Sequence, residues 1–173
     1  MSRITEAQCA IRNMPAFLDM LAVSEGTSTS PITANDGYDV IVTGLDANGR
    51  RTPEVFTDYS THPFANGRKS KLFNSKGQTS NASGRYQFML KDWAHYKAML
   101  RLPDFGPMSQ DRWAIQLIRE RGALDDIRNG RFASAVARCK NIWASLPGAG
   151  YGQHENGIDK LLAAYTAAGG IAA

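Results

Sequence analysis

FLDMLAVSEGT, residues 17–27, reads as an apolar helix that ends on a carboxylate followed at once by glycine. Met14, Phe17, Leu18 and Leu21 recur at the three-four-seven spacing of one buried helical face. Glu25 falls on that face, four residues beyond Leu21 and seven beyond Leu18, so its side chain leans over the apolar stripe rather than into water. Partial desolvation and the carbonyl dipoles at the helix end both disfavour the ionised form, and Gly26 is suited to terminating the helix. A carboxyl group held protonated near neutral pH is what general acid catalysis requires. A glutamate that swings out to solvent or caps a neighbouring group is the plain alternative.

Working outward, Asn13 is a good cap for a helix of about residues 14–24, with Pro15 tolerable in its first turn, and a short helix precedes it near 5–12. After Gly26 the polar loop GTSTSPITANDG leads to YDVIVTG, which alternates and is β-branched as a strand should be. Asn48-Gly49 signals a hairpin, with a second strand around VFTDYS and an exposed edge suggested by Pro53. Residues 61–83 are rich in Asn, Ser, Gly, Lys and Arg without periodicity, which predicts a long mobile loop.

From Ser83 onward the chain reads as helices. Tyr86, Met89, Leu90, Trp93 and Leu100 mark one stripe, and Ala114, Leu117 and Ile118 mark a second after a Ser109 cap. Phe132, Ala135, Val136, Cys139 and Trp143 form a third, and Ile158, Leu161, Leu162 and Tyr165 a fourth. Strands confined to one early segment, near residues 38–60, among helices imply an α+β fold, with a cleft between the small sheet and the helical body as the natural site.

The chain has 173 residues, 43% hydrophobic and 21% charged, which suits one domain spanning 1–173, with residues 1–12 as an N-terminal extension. No apolar run is long enough to span a bilayer, and MSRITEAQCAIRN lacks a signal-type hydrophobic stretch, so synthesis in the cytoplasm is expected. Cys9 and Cys139 have no metal-ligand spacing and read as free thiols. A net charge of +4 favours a polyanionic neighbour. The basic residues are spread through loops and several helices rather than gathered on one recognition helix, which argues against nucleic acid.

FLDMLAVSEGT, GYDVIVTG, FTDYSTHP, GRYQ, RERGAL and NIWASLPGAGYGQ stand here in one order from about Phe17 to Gly170, and in this the chain resembles the endolysins of lambda-type phages. The resemblance implies a lysozyme-like fold, a cleft lined by mobile loops and lytic transglycosylase action on peptidoglycan, with the Glu of the SEG motif, Glu25 here, as the single catalytic acid. A longer hairpin carrying LDANGRRTPE and a rewritten loop after HPF set this chain apart. Similar enzymes have no need of a cofactor or metal. They wait in the host cytoplasm for a holin to open the inner membrane before reaching the wall in the periplasm, as monomers by default.

Hydrolytic lysozymes use two carboxylates, whereas a transglycosylase manages with one. Asp36, in the turn NDG, and Asp39, at the start of a strand, are the partners that keep hydrolysis open as the alternative, although a structural role suits both better. A non-catalytic wall-binding module is the remaining reading. Ser24 beside the acid, Asp36, Tyr86, Gln87 and Tyr151 are the candidate substrate contacts. Gln87 is placed in the first turn of a helix, and Tyr151 in a glycine-flanked loop where a ligand can approach the backbone. Tyr86 suits the core as readily as a sugar. His62 has no second ligand at suitable spacing and reads as a structural histidine, and Trp93, Trp113 and Trp143 read as core.

Overall fold

The computed structural model describes residues 1–150 and 155–173. In chain order its elements are α1 (Glu6–Cys9), α2 (Met14–Ser24), β1 (Val40–Leu45), β2 (Arg51–Val55), β3 (Lys71–Leu72), β4 (Thr79–Ser80), α3 (Leu90–Leu100), α4 (Pro107–Glu120), α5 (Leu124–Arg128), α6 (Phe132–Cys139) and α7 (Ile158–Ala167). Strands confined to the early part of a helical chain make this the α+β class that the sequence implied. Two compact units divide it: Met1–Gly26 with Asp111–Ala173, and Thr27–Gln110.

In the first unit α2 is the core element. Met14, Phe17, Leu18 and Leu21 are all at most 1% exposed, but so are Met20 and Ala22 on other faces, so the helix is enclosed nearly all round rather than along one stripe. Phe17 meets Phe132 of α6 edge-on, with centroids 6.4 Å apart, and Phe132 lies 4.9 Å from Tyr165 of α7. Asn13 does stand at the start of α2, but in the left-handed region at φ 67°, and its side chain makes no cap. Its amide donates instead to the carbonyls of Ile127 and Ile171 and accepts from Ile171 N. Tertiary partners thus outcompete the local cap, because Asn tolerates positive φ and its amide both donates and accepts.

The turn joining α5 and α6 is held by Asp126, whose Oδ1 accepts from Arg131 Nε at 2.7 Å and whose Oδ2 accepts from Ser134 Oγ and Arg138 Nε, each at 2.7 Å. The Ser134 hydroxyl and the two guanidinium groups hold this carboxyl down at about 2, below the usual 3.8. The stabilisation is therefore present above pH 3.8 and lost as pH falls through 2. Both arginines are half in water, which limits it to about 1–2 kcal/mol. Asp126→Asn is expected to lower the urea midpoint at pH 7 and to leave it nearly unchanged at pH 2, a comparison that isolates the carboxylate. Cys139, on the buried face of α6, has its thiol pushed up to about 12 by burial and is free, as the spacing predicted.

In the second unit β1 and β2 pair antiparallel, with Val40 opposite Val55 and Leu45 opposite Arg51. The turn between them is the one expected at Asn48-Gly49: Gly49 N donates to Asp46 O at 3.0 Å, and Asp46 N to Arg50 O at 2.9 Å. That short connection fixes β2 at Arg51–Val55, earlier than the VFTDYS segment that the alternation suggested. The register slips between Ile41 and Gly44, so that Val42 and Thr43 bulge opposite Pro53, which has no N–H to give. Val42 N turns to the other side and donates to Ala82 O at 2.9 Å.

Residues 61–83 hold more structure than an aperiodic loop. They carry the β3–β4 pairing, Lys71 with Ser80 and Leu72 with Thr79. They begin on the fully buried His62, whose Nε2–H donates to Phe88 O at 3.1 Å while Nδ1 accepts from Phe64 N. Burial holds its pKa below 6.5, so the ring is neutral and packs 4.9 Å from Phe105, the structural role expected of it. Trp93, Trp113 and Trp143 are likewise at most 5% exposed. α4 begins at Pro107 rather than after Ser109, because Asp104 accepts from both Gly106 N and the Ser109 hydroxyl at 2.8 Å and draws that serine into the first turn.

Candidate functional site

α2 delivers Glu25 as the sequence implied. Its N–H still bonds back to Leu21 O at 2.9 Å, Gly26 N to Val23 O at 3.0 Å, and Gly26 then adopts φ 69°, which ends the helix. Glu25 is half-buried, and Oε1 accepts one short hydrogen bond, from Ser145 Oγ at 2.6 Å. Desolvation pushes the carboxyl from 4.5 up to about 7, against the smaller downward pull of the Ser145 hydroxyl. At neutral pH the group is therefore poised between acid and base, able to give a proton and take one back.

Ser24 lies beside the acid but faces inward. It is 7% exposed, and its hydroxyl stands 2.8 Å from Ser145 Oγ. Asn156, 4% exposed, reaches both serines: Nδ2 donates to Ser24 O at 3.0 Å and lies 3.3 Å from Ser24 Oγ and from Ser145 O. Ser145 and Asn156 are the residues that sequence reasoning missed. Ser145 lies 120 positions beyond Glu25 and Asn156 132 beyond Ser24, and neither has a periodic pattern linking it to them, so the packing of the first unit reveals the contact.

Asp36, Asp39, Tyr86 and Gln87 stand in the second unit. Asp39 is 3% exposed with both oxygens engaged, by Thr33 Oγ1 at 2.5 Å and Ala34 N at 2.8 Å, and so braces its own loop. Asp36 sits in the left-handed region at φ 51°, and its carbonyl accepts from Arg85 Nη1. Gln87 is not in a helix. Ser83 and Phe88 exchange backbone hydrogen bonds of 3.0 and 2.9 Å across a tight turn that holds Gln87 at φ 50°, with Nε2 donating to Gly84 O at 3.0 Å. The periodicity of Tyr86, Met89 and Leu90 was misleading because α3 starts only at Leu90. Tyr86 is 1% exposed, edge-on to Tyr38 and Phe88 with centroids 6.4 and 5.7 Å away, so its ring belongs to the core rather than to a sugar-stacking surface. Tyr151 lies outside the described residues. Residues 55–58 and 61–63 line an open cavity of about 280 Å³ with Asn66 and Arg68.

Comparison with known proteins gives this arrangement a context. The family profile described as Endolysin matches residues 15–172. The endolysin of Escherichia phage P2 is 64% identical over 162 residues, covering 94% of this chain and 96% of that protein. The endolysin of Escherichia phage lambda is 51% identical over 156 residues, 90% of each. Among solved structures, bacteriophage lambda lysozyme complexed with a chitohexasaccharide superposes with a TM-score of 0.82 at 46% identity, and a second structure of the lambda lysozyme with 0.78 at 45%, each over the full length of both chains. The lysozyme-like fold follows from those superpositions, and with profile, sequence and structure agreeing over nearly the whole chain, this protein belongs to the endolysins of the lambda type.

Proposed function

We propose that this endolysin cleaves the bond between N-acetylmuramic acid and N-acetylglucosamine in peptidoglycan by lytic transglycosylation, with Glu25 as its one catalytic carboxyl. That it is a peptidoglycan-degrading enzyme follows from its family. The observation that carries the finer reading is the Glu25 carboxyl raised to about 7 by burial, with a neutral serine rather than a second acid as its hydrogen-bond partner. Asp39, one of the two alternative second carboxylates beside Asp36, is committed at both oxygens to its own loop.

Protonated Glu25 gives its proton to the glycosidic oxygen, and the bond from that oxygen to the muramoyl C1 breaks with oxocarbenium character. The resulting carboxylate then takes the proton of the muramoyl C6 hydroxyl while O6 bonds to C1. The ring closes as a 1,6-anhydro sugar, Glu25 is protonated again, and water is not consumed. A pKa near 7 serves both halves, since a stronger acid would be a poor base in the second step. Gln87, half-buried on its turn, and Tyr151, outside the described residues, are the proposed contacts to the glycan, the class of ligand with which lambda lysozyme is complexed. By the likeness to lambda-type endolysins, access to the wall is assigned to a holin that opens the inner membrane; among the described residues no helix is long and apolar enough to cross a membrane.

Mass spectrometry of muropeptides released from purified sacculi tests the mechanism. Anhydro ends, 18 Da lighter than the hydrolytic product by the loss of about one water per cut, are expected to dominate. A majority of reducing ends would replace this mechanism with hydrolysis and direct attention to Asp36.

A further inference from the structure

A chain of hydrogen bonds leads from the surface to Glu25, and each of its links has a fixed direction. Lys160 Nζ lies 2.7 Å from Asn156 Oδ1. An ammonium group has protons but no lone pair, so the amide oxygen must face it and the amide nitrogen must face the other way. That nitrogen only donates, and it lies 3.3 Å from Ser24 Oγ, which therefore accepts. The Ser24 proton is left for Ser145 Oγ at 2.8 Å, and the Ser145 proton for Glu25 Oε1 at 2.6 Å. Asn156 and Ser24 are buried, so water does not compete for these groups.

We propose that Asn156 is a positioning residue that acts on Glu25 through Ser24 and Ser145, committing Oε1 as a standing acceptor so that the catalytic proton is carried, given up and regained at Oε2 alone. The inference rests on the reading of Glu25 as the acid. A proton on Oε1 would point at the Ser145 hydroxyl proton and lose the 2.6 Å bond, so the two carboxyl oxygens are no longer equivalent. One oxygen then serves both proton transfers along one direction, which is the preorganisation that a single-carboxyl mechanism needs. Among the described residues, burial and the Ser145 hydroxyl are the causes of the shift at Glu25, and Lys160 is the charged group joined to the hydroxyl chain by a hydrogen bond.

Carbon-13 NMR titration of the Glu25 carboxyl, assigned by its absence in Glu25→Gln, reads the chain directly, with the pH profile of wall lysis measured beside it. Ser145→Ala is expected to move the titration upward by about one pH unit, the size of a hydrogen bond to a charged group. Asn156→Leu is expected to move it in the same direction by less, to shift the alkaline limb of kcat with it, and to leave KM nearly unchanged. The double variant is expected to shift no further than Ser145→Ala alone, because the amide acts only through that hydroxyl. An unshifted titration in folded Asn156→Leu, or shifts that add in the double variant, would overturn the proposal. If Asn156→Leu does not fold, Ser24→Ala breaks the same chain with the amide in place and carries the same pair of outcomes. Lysis by Glu25→Gln would remove the acid itself from the mechanism, an outcome distinct from any of these because the titration reads the hydroxyl chain whatever the chemistry.

Discussion

Glu25→Gln is expected to lose lysis by about a thousandfold or more, and to gain stability while doing so. The rate loss follows from removing the one proton donor, since positioned acid–base groups contribute on the order of 10²–10⁴ and here the same group acts twice. The stability gain follows from linkage. The carboxyl is raised from 4.5 to about 7 in the fold, so between those values the folded protein holds a proton that the unfolded chain has released. Its contribution is thus fully present below pH 4.5 and is lost as pH rises through 7, above which the fold carries a partly desolvated charge. Glutamine has no charge to bury and keeps an oxygen for Ser145. At pH 8.5 the variant should therefore be more stable than the parent by roughly 1–3 kcal/mol, and at pH 4 the two should be alike. Urea unfolding at both values checks this; equal stabilities at pH 8.5 would mean that Glu25 titrates as an ordinary carboxyl, and the acid would have to be sought elsewhere.

Phe17→Ala is expected to cost about 3–5 kcal/mol, the largest single loss of stability among these variants. Phe17 is 1% exposed in the helix that ends at the acid, and its ring meets α6 edge-on at Phe132, which in turn lies against Tyr165 of α7. The aromatic surface and the cavity left behind both count, and neighbours fixed in two other helices have little freedom to collapse into the space. For a chain of this size the melting temperature should fall by about 10 °C or more. Lysis at 20 °C should survive in the fraction that remains folded, since the hydrogen-bond partner of Glu25 is Ser145, outside the Phe17–Phe132–Tyr165 stack. A loss below about 1 kcal/mol would mean that α6 and α7 close over the gap, and that the core is softer than its burial indicates.

The placement of Glu25 was legible because its information is local. Four apolar residues at helical spacing, a glutamate on their face and a glycine after it lie within thirteen positions, and the structure places all of them as read. The hairpin turn at Asn48-Gly49 was legible for the same reason. The start of α3 was not, because the stripe that begins at Tyr86 arises from two causes, aromatic packing before Leu90 and helix after it, which a single period cannot separate. Asn13 shows the converse failure, where a residue with a strong local preference is claimed by Ile127 and Ile171 from far along the chain. Ser145 stands within NIWASLPGAGYGQ and Asn156 just after it, but neither carries a period or spacing that ties it to a glutamate more than a hundred residues away.

The unit that contains Glu25 is built from both ends of the chain, Met1–Gly26 and Asp111–Ala173, with all of Thr27–Gln110 made in between. On a ribosome that adds about 5–20 residues per second, α2 leaves the tunnel on the order of ten seconds before α7 does. Until α5, α6 and α7 follow, an almost wholly apolar helix lacks the helices that enclose it, the kind of exposed apolar surface that chaperones bind. The carboxylate at its end meanwhile has neither its serine nor its dry surroundings, so a truncated or stalled chain carries an ordinary glutamate. On the proposed mechanism the nascent chain is inert, because the raised carboxyl forms only once Ser145, 120 residues further on, has been made and packed against it.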